Sequence, residues 1–591
     1  MSETFHFSPR PNRAAEIAWR PWDESAFAEA RRAEKPVLLA ISAVWCHWCH
    51  VMDETTYSDP AVISMINEQF IPIRVDNDRR PDVNARYNMG GWPTTAFLTP
   101  DGQMLTGGTY IPAHQMRSLL QKIAHVFAEH RDDIVRAAGT FAPRAIPSAQ
   151  GPVSAAIVDA VVNEITSAYD PEHGGFGTEP KFPQPEALEL LLLECRLGRD
   201  ARIGAMLHKT AIAMASGGMY DHVAGGFFRY ATRADWSIPH FEKMAEDHAG
   251  LLRFYAGLAR VDADPIIIDT LRSAAAYVRM TLRDPATRLF AGSQDADETY
   301  YELDAASRAT LDTPFIDRTS YTNWTAALAG ALAHVGAVLD DAGLIAESVM
   351  ALDAIDERLI DADGLAYHYV EPGQAPQVRG LLIDQVALLR ALVDVHAVSG
   401  EARLRDRAER LAGIVAARFL DASGAFIDHL NAQTALGNVR HVDRQLPENG
   451  LLADALLQLA ILCDDERWTT VANRALSAFS EGYAKAGSFA APYARAVRRS
   501  VNPTTSITIV GGIEETAALR RAALADADPL AVIRTIDPRE ASRLERAALP
   551  ASGAACAYVC HGTTCSAPIK DPLALGVLLQ QQRVDLSEHV R

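Results

Sequence analysis

Two cysteines separated by two residues provide the clearest chemistry in the sequence. Cys46 and Cys49 follow an apolar run, 35–42, and open a segment of helical character. At a helix start, unpaired backbone N–H groups and the positive end of the helix dipole favour the thiolate form of the first cysteine. We therefore predict that Cys46 attacks and Cys49, one turn on, resolves. His47 between them, when charged, makes the disulfide easier to reduce, so we do not expect a strong reductant.

Zinc binding is the main alternative for this motif, since His47 and His50 add candidate ligands. Downstream, 70–76 predicts a second strand, and 90–102 predicts a strand introduced by Pro93 that ends in an Asp-Gly turn. This order of strands, Cys-x-x-Cys helix and Gly-Trp-Pro-Thr resembles the thioredoxin fold. In that family the proline is cis and lies against the sulfurs, so the resemblance implies that Pro93 keeps metal away from the dithiol. We expect no metal ion and no cofactor.

Composition indicates a large globular chain of several domains. It has 591 residues, of which 48% are apolar and 22% charged, enough for large cores. A formal net charge of −19 disfavours nucleic acid and anionic membranes as partners. Seven cysteines are few for a disulfide framework. With no signal-like N-terminus and no uninterrupted apolar run near ~18 residues, we expect a cytoplasmic protein that binds neither nucleic acid nor a membrane.

A repeat follows the first domain. Ala- and Leu-rich stretches of helical period alternate with short Gly or Asp turns that carry an aromatic residue. These turns occur six times, at 170–176, 225–230, 284–290, 361–367, 421–426 and 485–489. Each interval holds two helices, and six stacked helix pairs are the number that closes a ring, so we predict an (α/α)6 toroid, with an open superhelix as the alternative.

The predicted organisation has four segments. They are a thioredoxin-like domain (1–140), a Pro- and Gly-containing linker (141–152), the toroid (153–525) and a C-terminal segment (526–591). The last segment contains Cys556, Cys560, His561 and Cys565. Their spacing is loose for zinc, and free thiols, intermittent pairing, or disulfide exchange with the Cys46–Cys49 pair remain open. Cys195 and Cys463 lie in apolar helical runs and are predicted as core residues.

Polar and aromatic residues concentrate in a few of the turns, and such loops meet at the funnel of a toroid. Pro239 suits the first turn of a helix. Such a helix would have one face with His240, Met244, Asp247 and His248 and another with Glu242 and Glu246. An imidazole near carboxylates is the composition of a general acid/base site, although such residues also cap helices and satisfy buried loops. The candidate catalytic residues are Asp221, His222, His240 and Glu242. The candidate binding residues are Trp236, Asp295, Asp297 and Trp324, and Glu448 and Asn449 are further candidates for the same funnel.

Motifs in both domains resemble the spermatogenesis-associated protein 20 / YyaL family. They are, in order, 45–52, 90–93, 107–110, 174–177, 180–183, 220–222, 225–227 and 239–244. The resemblance implies a thioredoxin-like domain followed by a helical domain similar to six-hairpin glycosidases and N-acylglucosamine 2-epimerases, with no assigned activity. Between Asp297 and Trp324 this chain lacks a longer insert usual in the family, and it has Trp-Thr-Ala where the family has Trp-Asn-Gly.

Three functions remain open from the sequence. The first is a thiol–disulfide oxidoreductase with a redox partner protein, in which Trp48, Trp92 and Pro93 contact the substrate. The second is a sugar epimerase or glycoside hydrolase with its ligand in the funnel, and the third is a non-catalytic scaffold. Because Trp45, Trp48 and Trp92 make the dithiol face apolar, we expect the helical domain to cover part of it.

Overall fold

A computed structural model describes residues 5–138, 151–198, 200–503, 505–550, 554–562 and 564–588. The chain forms two compact units. The first comprises Met1–Ala145 and Asp428–Asp443, and the second comprises Ile146–Ile427 and Arg444–Arg591. Positions 141–150 of the predicted linker lie outside the described residues.

The first unit is built on a mixed four-stranded sheet of order β2-β1-β3-β4. The strands are β1 (Val37–Ser42), β2 (Ile71–Asp76), β3 (Thr94–Leu98) and β4 (Met104–Gly108). β1 is parallel to β2 and antiparallel to β3, and β3 is antiparallel to β4. β1 and β3 are buried along their whole length because helices cover both faces of the sheet.

Five helices complete this unit: α1 (Glu24–Ala33), α2 (His47–Glu54), α3 (Pro60–Gln69), α4 (Pro81–Tyr87) and α5 (Ala113–Ala138). Alternate residues of β1 face opposite cores, as a strand requires. Val37, Leu39 and Ile41 pack with α1 and α4, whereas Leu38 and Ala40 pack with α2, α3 and α5. The thioredoxin-like architecture predicted for the N-terminal domain is confirmed.

A segment from much later in the sequence, Asp428–Asp443, belongs to the same unit. It contains a 3-10 helix, Gly437–Arg440. The backbone N–H of Asn438 donates to the Tyr87 hydroxyl at 2.6 Å, and Arg86 pairs with Asp428 at 2.6 Å. These contacts attach 428–443 to the α4 side of the thioredoxin-like sheet.

The second unit contains a ring of paired helices. The outer helices are α6 (Ala155–Ser167), α8 (Ala201–Ser216), α10 (Pro265–Tyr277, continued by a π-helix, Val278–Leu282), α14 (Ala342–Leu359), α16 (Ala402–Arg418) and α18 (Arg467–Ser477). The inner helices are α7 (Pro185–Arg196), α9 (Ala245–Leu258), α13 (Thr322–Leu339), α15 (Leu382–Ser399), α17 (Leu446–Cys463) and α19 (Ala491–Val501). Each inner helix packs against the next, and α19 packs against α7. The ring is therefore closed, which confirms the (α/α)6 toroid and excludes the open superhelix.

The inner helix α17 is apolar over most of its surface because the ring surrounds it. Within the described part of the chain it is the one helix with the length and composition to cross a membrane, and 72% of it is buried in the ring. Core helices of globular proteins share these properties.

Five of the six predicted aromatic turns follow an outer helix and are closed by a single β-bridge. The bridges join Tyr169–Phe176, Tyr220–Phe227, Arg283–Phe290, Ile360–Ala366 and Leu420–Phe426. A carboxylate stabilises such turns by accepting backbone N–H groups, as Asp170 and Asp421 do. The sixth prediction, 485–489, is wrong: Tyr483–Ala490 is a 3-10 helix that runs into α19. This stretch has no aspartate to close a turn.

The loops before the inner helices contain short elements. They are β5 (Tyr230–Ala231), β6 (Pro239–His240), β7 (Lys243–Met244), β8 (Ser293–Gln294), α11 (Glu298–Tyr301), α12 (Ala305–Arg308), β9 (Ile316–Asp317), β10 (Ser320–Tyr321), β11 (Tyr367–Val370) and β12 (Gln377–Arg379). The prediction that Pro239 begins a helix is wrong. Because β6 pairs with β5 and β7 pairs with β8, the chain stays extended until α9 begins at Ala245.

A second mixed sheet follows the toroid and was not predicted. It has the order β14-β13-β15-β16, from β13 (Thr505–Val510), β14 (Val532–Ile536), β15 (Cys556–His561) and β16 (Thr564–Cys565), with helices α20 (Ile513–Asp526), α21 (Ala541–Arg546) and α22 (Pro572–Glu588). β13 is parallel to β14 and antiparallel to β15, and β15 is antiparallel to β16. The strand order and directions are those of the N-terminal sheet. The sheet begins at Thr505, inside the range predicted for the toroid.

Candidate functional sites

The dithiol lies where β1 leads into α2. Cys46 is the N-cap residue of α2, and the backbone N–H of Cys49 donates to its Sγ at 3.2 Å. The two sulfurs form a disulfide, and both residues are buried, with exposed fractions of 4% and 2%. The Trp92–Pro93 peptide bond is cis, as the resemblance implied. This is the arrangement of a dithiol that can alternate between oxidised and reduced forms.

Three tryptophans surround the dithiol segment in different ways. Trp45 is buried, and its indole N–H donates to Asp78 at 2.6 Å. Trp92 donates to Asn84 at 3.1 Å and packs edge-on against Trp45. Trp48 is 46% exposed. Trp45 and Trp92 are therefore fixed by hydrogen bonds, and Trp48 is the tryptophan that presents apolar surface.

A buried ion pair connects the dithiol helix to the sheet. Asp53 of α2 accepts two hydrogen bonds from Arg74 of β2, at 2.8 and 2.9 Å. Arg74 also donates to the carbonyl of His6 and lies over the Phe7 ring. Burial, with His6 and Arg74 nearby, lowers the pKa of His50 to about 4, so its imidazole is neutral at physiological pH.

Asp221 belongs to a buried group of ion pairs. Its carboxylate pairs with Lys243 at 2.7 Å and with Arg308 at 2.9 Å. Burial alone would raise the pKa of Asp221, but these two cations lower it. Burial in turn lowers the pKa of Lys243 to about 8. The group connects the aromatic turn, β7 and α12, and each of its charged side chains has a partner of opposite charge.

Three further predicted funnel residues also form contacts within the loops or at a helix end. Trp236 is fully buried and donates to the carbonyl of His173 at 3.1 Å. His222 is exposed, with Nε2 3.1 Å from the carbonyl oxygen of Gly217. Asp297 caps α11 by accepting from Tyr300.

His240, Glu242 and Asp295 form a small acidic group. Glu242 precedes β7 and Asp295 follows β8, so the antiparallel pairing brings them side by side. His240 Nδ1 lies 3.5 Å from Glu242 Oε1, while Glu242 Oε2 is buried and has no hydrogen-bond partner among the described residues. Burial, reinforced by Glu242, raises the pKa of Asp295 to about 8. The predicted imidazole and carboxylates therefore do meet, although on a hairpin instead of a helix.

The first turns of all six inner helices enclose a cavity of about 340 Å³. Trp324 and Glu448 line it, whereas the other predicted funnel residues lie outside its lining. Its acidic residues are Glu186, Glu189, Glu246, Asp247 and Glu448, and its basic residues are Arg253 and Arg390. Carboxylates at helix N-termini are favoured by the helix dipole.

Asp247 is the carboxylate in this cavity best suited to proton transfer. Its Oδ2 is buried and accepts no hydrogen bond from the described residues. Burial raises its pKa to about 7, with the nearby Glu246 and Glu242 adding to the shift and Arg229 opposing it. Burial also raises the pKa of Glu186 and of Glu246. A carboxyl group with a pKa near neutrality can both give and take a proton.

The C-terminal cysteines do not assemble a zinc site. Cys560 and Cys565 are partners across β15 and β16 and form a disulfide, and Cys556 is a buried free thiol in the core of the second sheet. Cys463 is buried as predicted, but Cys195 is partly exposed. Between β13 and α20 the second sheet has Gly511 and Gly512, and Gly512 is the N-cap of α20, the position that Cys46 occupies before α2.

Parts of the chain are similar to known proteins. Residues 10–144 match the Thioredox_DsbH family model, described as a protein of unknown function, DUF255. Spermatogenesis-associated protein 20 of Mus musculus is 34% identical over 307 residues, 48% of this chain and 39% of the mouse protein. The chain is similar to spermatogenesis-associated protein 20 over about half of its own length. The match covers less than half the length of that protein.

Two other similarities are to a bacterial protein and to a solved structure. Thiol:disulfide interchange protein DsbD 1 of Pseudomonas aeruginosa is 35% identical over 82 residues, 13% of this chain and 14% of that protein. The solved structure of a sugar epimerase from a ruminal bacterium matches with a TM-score of 0.45 and 10% identity, over 55% of this chain and 87% of that one.

Glu186 was not predicted as a site residue, and Asp247 was predicted on the same helix face as His240 but was not selected. Each is an acidic residue in the first turn of a predicted helix, where acids commonly serve as dipole partners. One sequence signal for this cavity was present: acidic residues recur in the first turn of several inner helices, including Glu448 in α17.

Proposed function

We propose that the protein is a thiol–disulfide oxidoreductase that acts through Cys46 and Cys49. The observation that carries this proposal is the Cys46–Cys49 disulfide at the N-terminus of α2 in a thioredoxin-like sheet with cis-Pro93. The similarity of this region to a thiol:disulfide interchange protein supports it. The redox partner is a protein or small disulfide that contacts the exposed Trp48 and the Trp92–Pro93 turn.

The reaction proceeds by two exchanges. In the reduced protein the Cys46 thiolate attacks a substrate disulfide, forming a Cys46–substrate mixed disulfide and releasing one substrate thiolate. The Cys49 thiolate then attacks Cys46 Sγ, which forms the Cys46–Cys49 disulfide and releases the second substrate thiol. Two electrons pass from the protein to the substrate, and an external dithiol restores the reduced form. With a dithiol substrate the sequence runs in reverse.

The test is equilibration of the full chain with reduced and oxidised glutathione, followed by acid quenching and mass spectrometry. We expect the wild-type protein to interconvert between dithiol and disulfide, and Cys49→Ser to accumulate a mixed disulfide at Cys46. Cys195→Ser is the matched control, because it removes a partly exposed thiol elsewhere. Full exchange activity in Cys46→Ser would overturn the proposal.

We propose a second candidate function, acid–base chemistry on a sugar in the cavity of the inner helices. The observation that favours it is Asp247, with its buried unpartnered oxygen and a pKa of about 7, beside Glu246 and Trp324. Indole faces commonly pack on sugar rings, and a neutral-range carboxyl group transfers protons at physiological pH. The role of Asp247 would be to remove or deliver the proton.

Incubation with a panel of reducing sugars in D2O tests this candidate. Epimerisation incorporates deuterium at the carbon next to the carbonyl, which NMR detects. We expect Asp247→Asn to abolish incorporation and Asp269→Asn, at an exposed site on α10, to leave it unchanged. Equal incorporation by Asp247→Asn and the wild type, or none with any sugar, would remove this candidate without affecting the dithiol proposal.

A further inference from the structure

A second cavity, of about 230 Å³, lies at the opposite ends of the inner helices. Its other wall is the connection between α20 and β14 in the C-terminal sheet. The guanidinium groups of the lining belong to Arg196, Arg253, Arg260, Arg390, Arg495 and Arg499, and the carboxylates to Glu189, Asp394, Asp454 and Asp528. His334 also lines it, and burial lowers the pKa of this imidazole, which favours the neutral form. The lining therefore carries two more positive than negative charges.

Ion pairs within the lining use most of the carboxylate oxygens. Glu189 accepts from both Arg390, at 2.5 Å, and Arg495. Arg253 pairs with Asp394 at 2.7 Å, and Arg499 pairs with Asp454 at 2.7 Å. Asp528 accepts from the backbone of Leu530 at 2.7 Å. Arg196 and Arg260 donate to the backbone carbonyls of Ala527 and Leu524.

Arg495, in the lining of this cavity, has hydrogen-bonding capacity that is incompletely used. Its Nη1 pairs with Glu189, but Nε and Nη2 are buried and donate to no acceptor among the described residues. Nε lies 3.9 Å from Asp454 Oδ2, beyond hydrogen-bond distance, and the residue is only 9% exposed. Leaving two guanidinium N–H groups buried without acceptors is unfavourable, and an oxyanion in the cavity would satisfy them.

We propose that this cavity binds a small oxyanion, the carboxylate or phosphate group of a metabolite, through Arg495 and the surrounding arginines. The planar guanidinium presents paired N–H groups that match two oxygens of such a group. The cavity is smaller than those of drug-sized ligands, which limits the occupant to a compact anion. This site is separate from the carboxylate cavity, because Glu189, Arg253 and Arg390 form the wall between them, and it does not depend on the redox proposal.

Isothermal titration calorimetry of the full chain with inorganic phosphate and, separately, with malonate tests the site. We expect saturable binding of at least one anion, and a rise in Tm on its addition. Arg495→Gln should weaken binding at least tenfold. Arg495→Lys, which keeps the charge but loses the planar fork, should weaken it less, and this variant remains informative if Arg495→Gln fails to fold.

Two controls separate this site from general effects. Arg407→Gln removes a buried arginine of the outer helix α16, and Asp247→Asn changes the other cavity, so both should bind the anion as the wild type does. Binding of phosphate but not malonate identifies a phosphate ligand, and the reverse identifies a carboxylate. Absence of saturable binding by both anions, or unchanged affinity in the folded Arg495 variants, would overturn the proposal.

Discussion

Cys46 and Cys49 share one disulfide but differ in their surroundings. Cys46 caps α2 and accepts the backbone N–H of Cys49, whereas Cys49 lies inside the helix. We therefore expect the Cys46 thiol of the reduced protein to have a pKa below that of an ordinary cysteine, about 8.5, and the Cys49 thiol not to. Alkylation with iodoacetamide across pH, read by peptide mass spectrometry, measures both. His47→Ala should raise the Cys46 value, and identical ordinary profiles for the two thiols would contradict the prediction.

Asp247 should make stability depend on pH. Its pKa in the folded protein, about 7, is above the ordinary carboxyl value, so the folded state holds a proton that the unfolded state releases. This contribution is fully present below about pH 4 and is lost as the pH rises towards 7. Between pH 5 and 8 we expect the wild type to lose about 2 kcal/mol more unfolding free energy than Asp247→Asn, because each pKa unit corresponds to roughly 1.4 kcal/mol. Urea titrations at both pH values test this, and parallel losses in the two proteins would contradict it.

At the scale of the elements, a buried ion pair between Asp53 and Arg74 connects α2 to β2. Asp53 and Arg74 have side chains exposed by 0% and 5%, and each would leave an uncompensated charge if the other were removed. We expect Arg74→Leu to cost about 3–5 kcal/mol, and Arg74→Leu/Asp53→Leu to cost less than the sum of the single changes. Arg117→Leu, which breaks a partly exposed pair with Asp59, should cost about 1 kcal/mol or less. Denaturant midpoints followed by tryptophan fluorescence measure these differences, and additive costs would exclude coupling through the pair.

The elements that could be predicted from the sequence are those with a recognisable pattern of neighbouring residues. The dithiol helix follows a continuous apolar strand, and five of the six turns carry the aspartate or glycine that closes them. The C-terminal sheet has weaker signals, because β13 and β14 are short β-branched runs after a long helical region, with no repeat to mark them. Pro239 shows why propensity alone is not sufficient. A proline is compatible with the start of a helix, but here strand pairing with Ala231 holds Pro239 in an extended conformation.

At the scale of the whole molecule, the toroid is followed by a sheet with the topology of the one that precedes it. The N-terminal sheet carries its dithiol at the carboxyl end of β1, whereas in the second sheet Cys560 pairs with Ser506, near the start of β13. The second disulfide therefore lies at the opposite end of the equivalent strand from the position of a thioredoxin-like dithiol. It joins the edge strand β16 to β15, a position that indicates stabilisation.

Closure of the ring joins helices that are far apart in sequence, and one ion pair lies at this contact. Arg498 of α19 donates two hydrogen bonds to Glu194 of α7, both 2.8 Å, and the side chains are 1% and 3% exposed. We expect Glu194→Gln to destabilise the second unit by about 3 kcal/mol, because it leaves the buried Arg498 guanidinium with the exposed Asp159, at 3.2 Å, in place of a buried bidentate partner. Glu347→Gln, which weakens a more exposed pair with Arg279 between neighbouring hairpins, should cost about 1 kcal/mol or less. Hydrogen exchange of the inner helices would show the difference: Glu194→Gln should speed exchange in α7 and α19 first, and unchanged protection of these two helices would contradict a closing role for the pair.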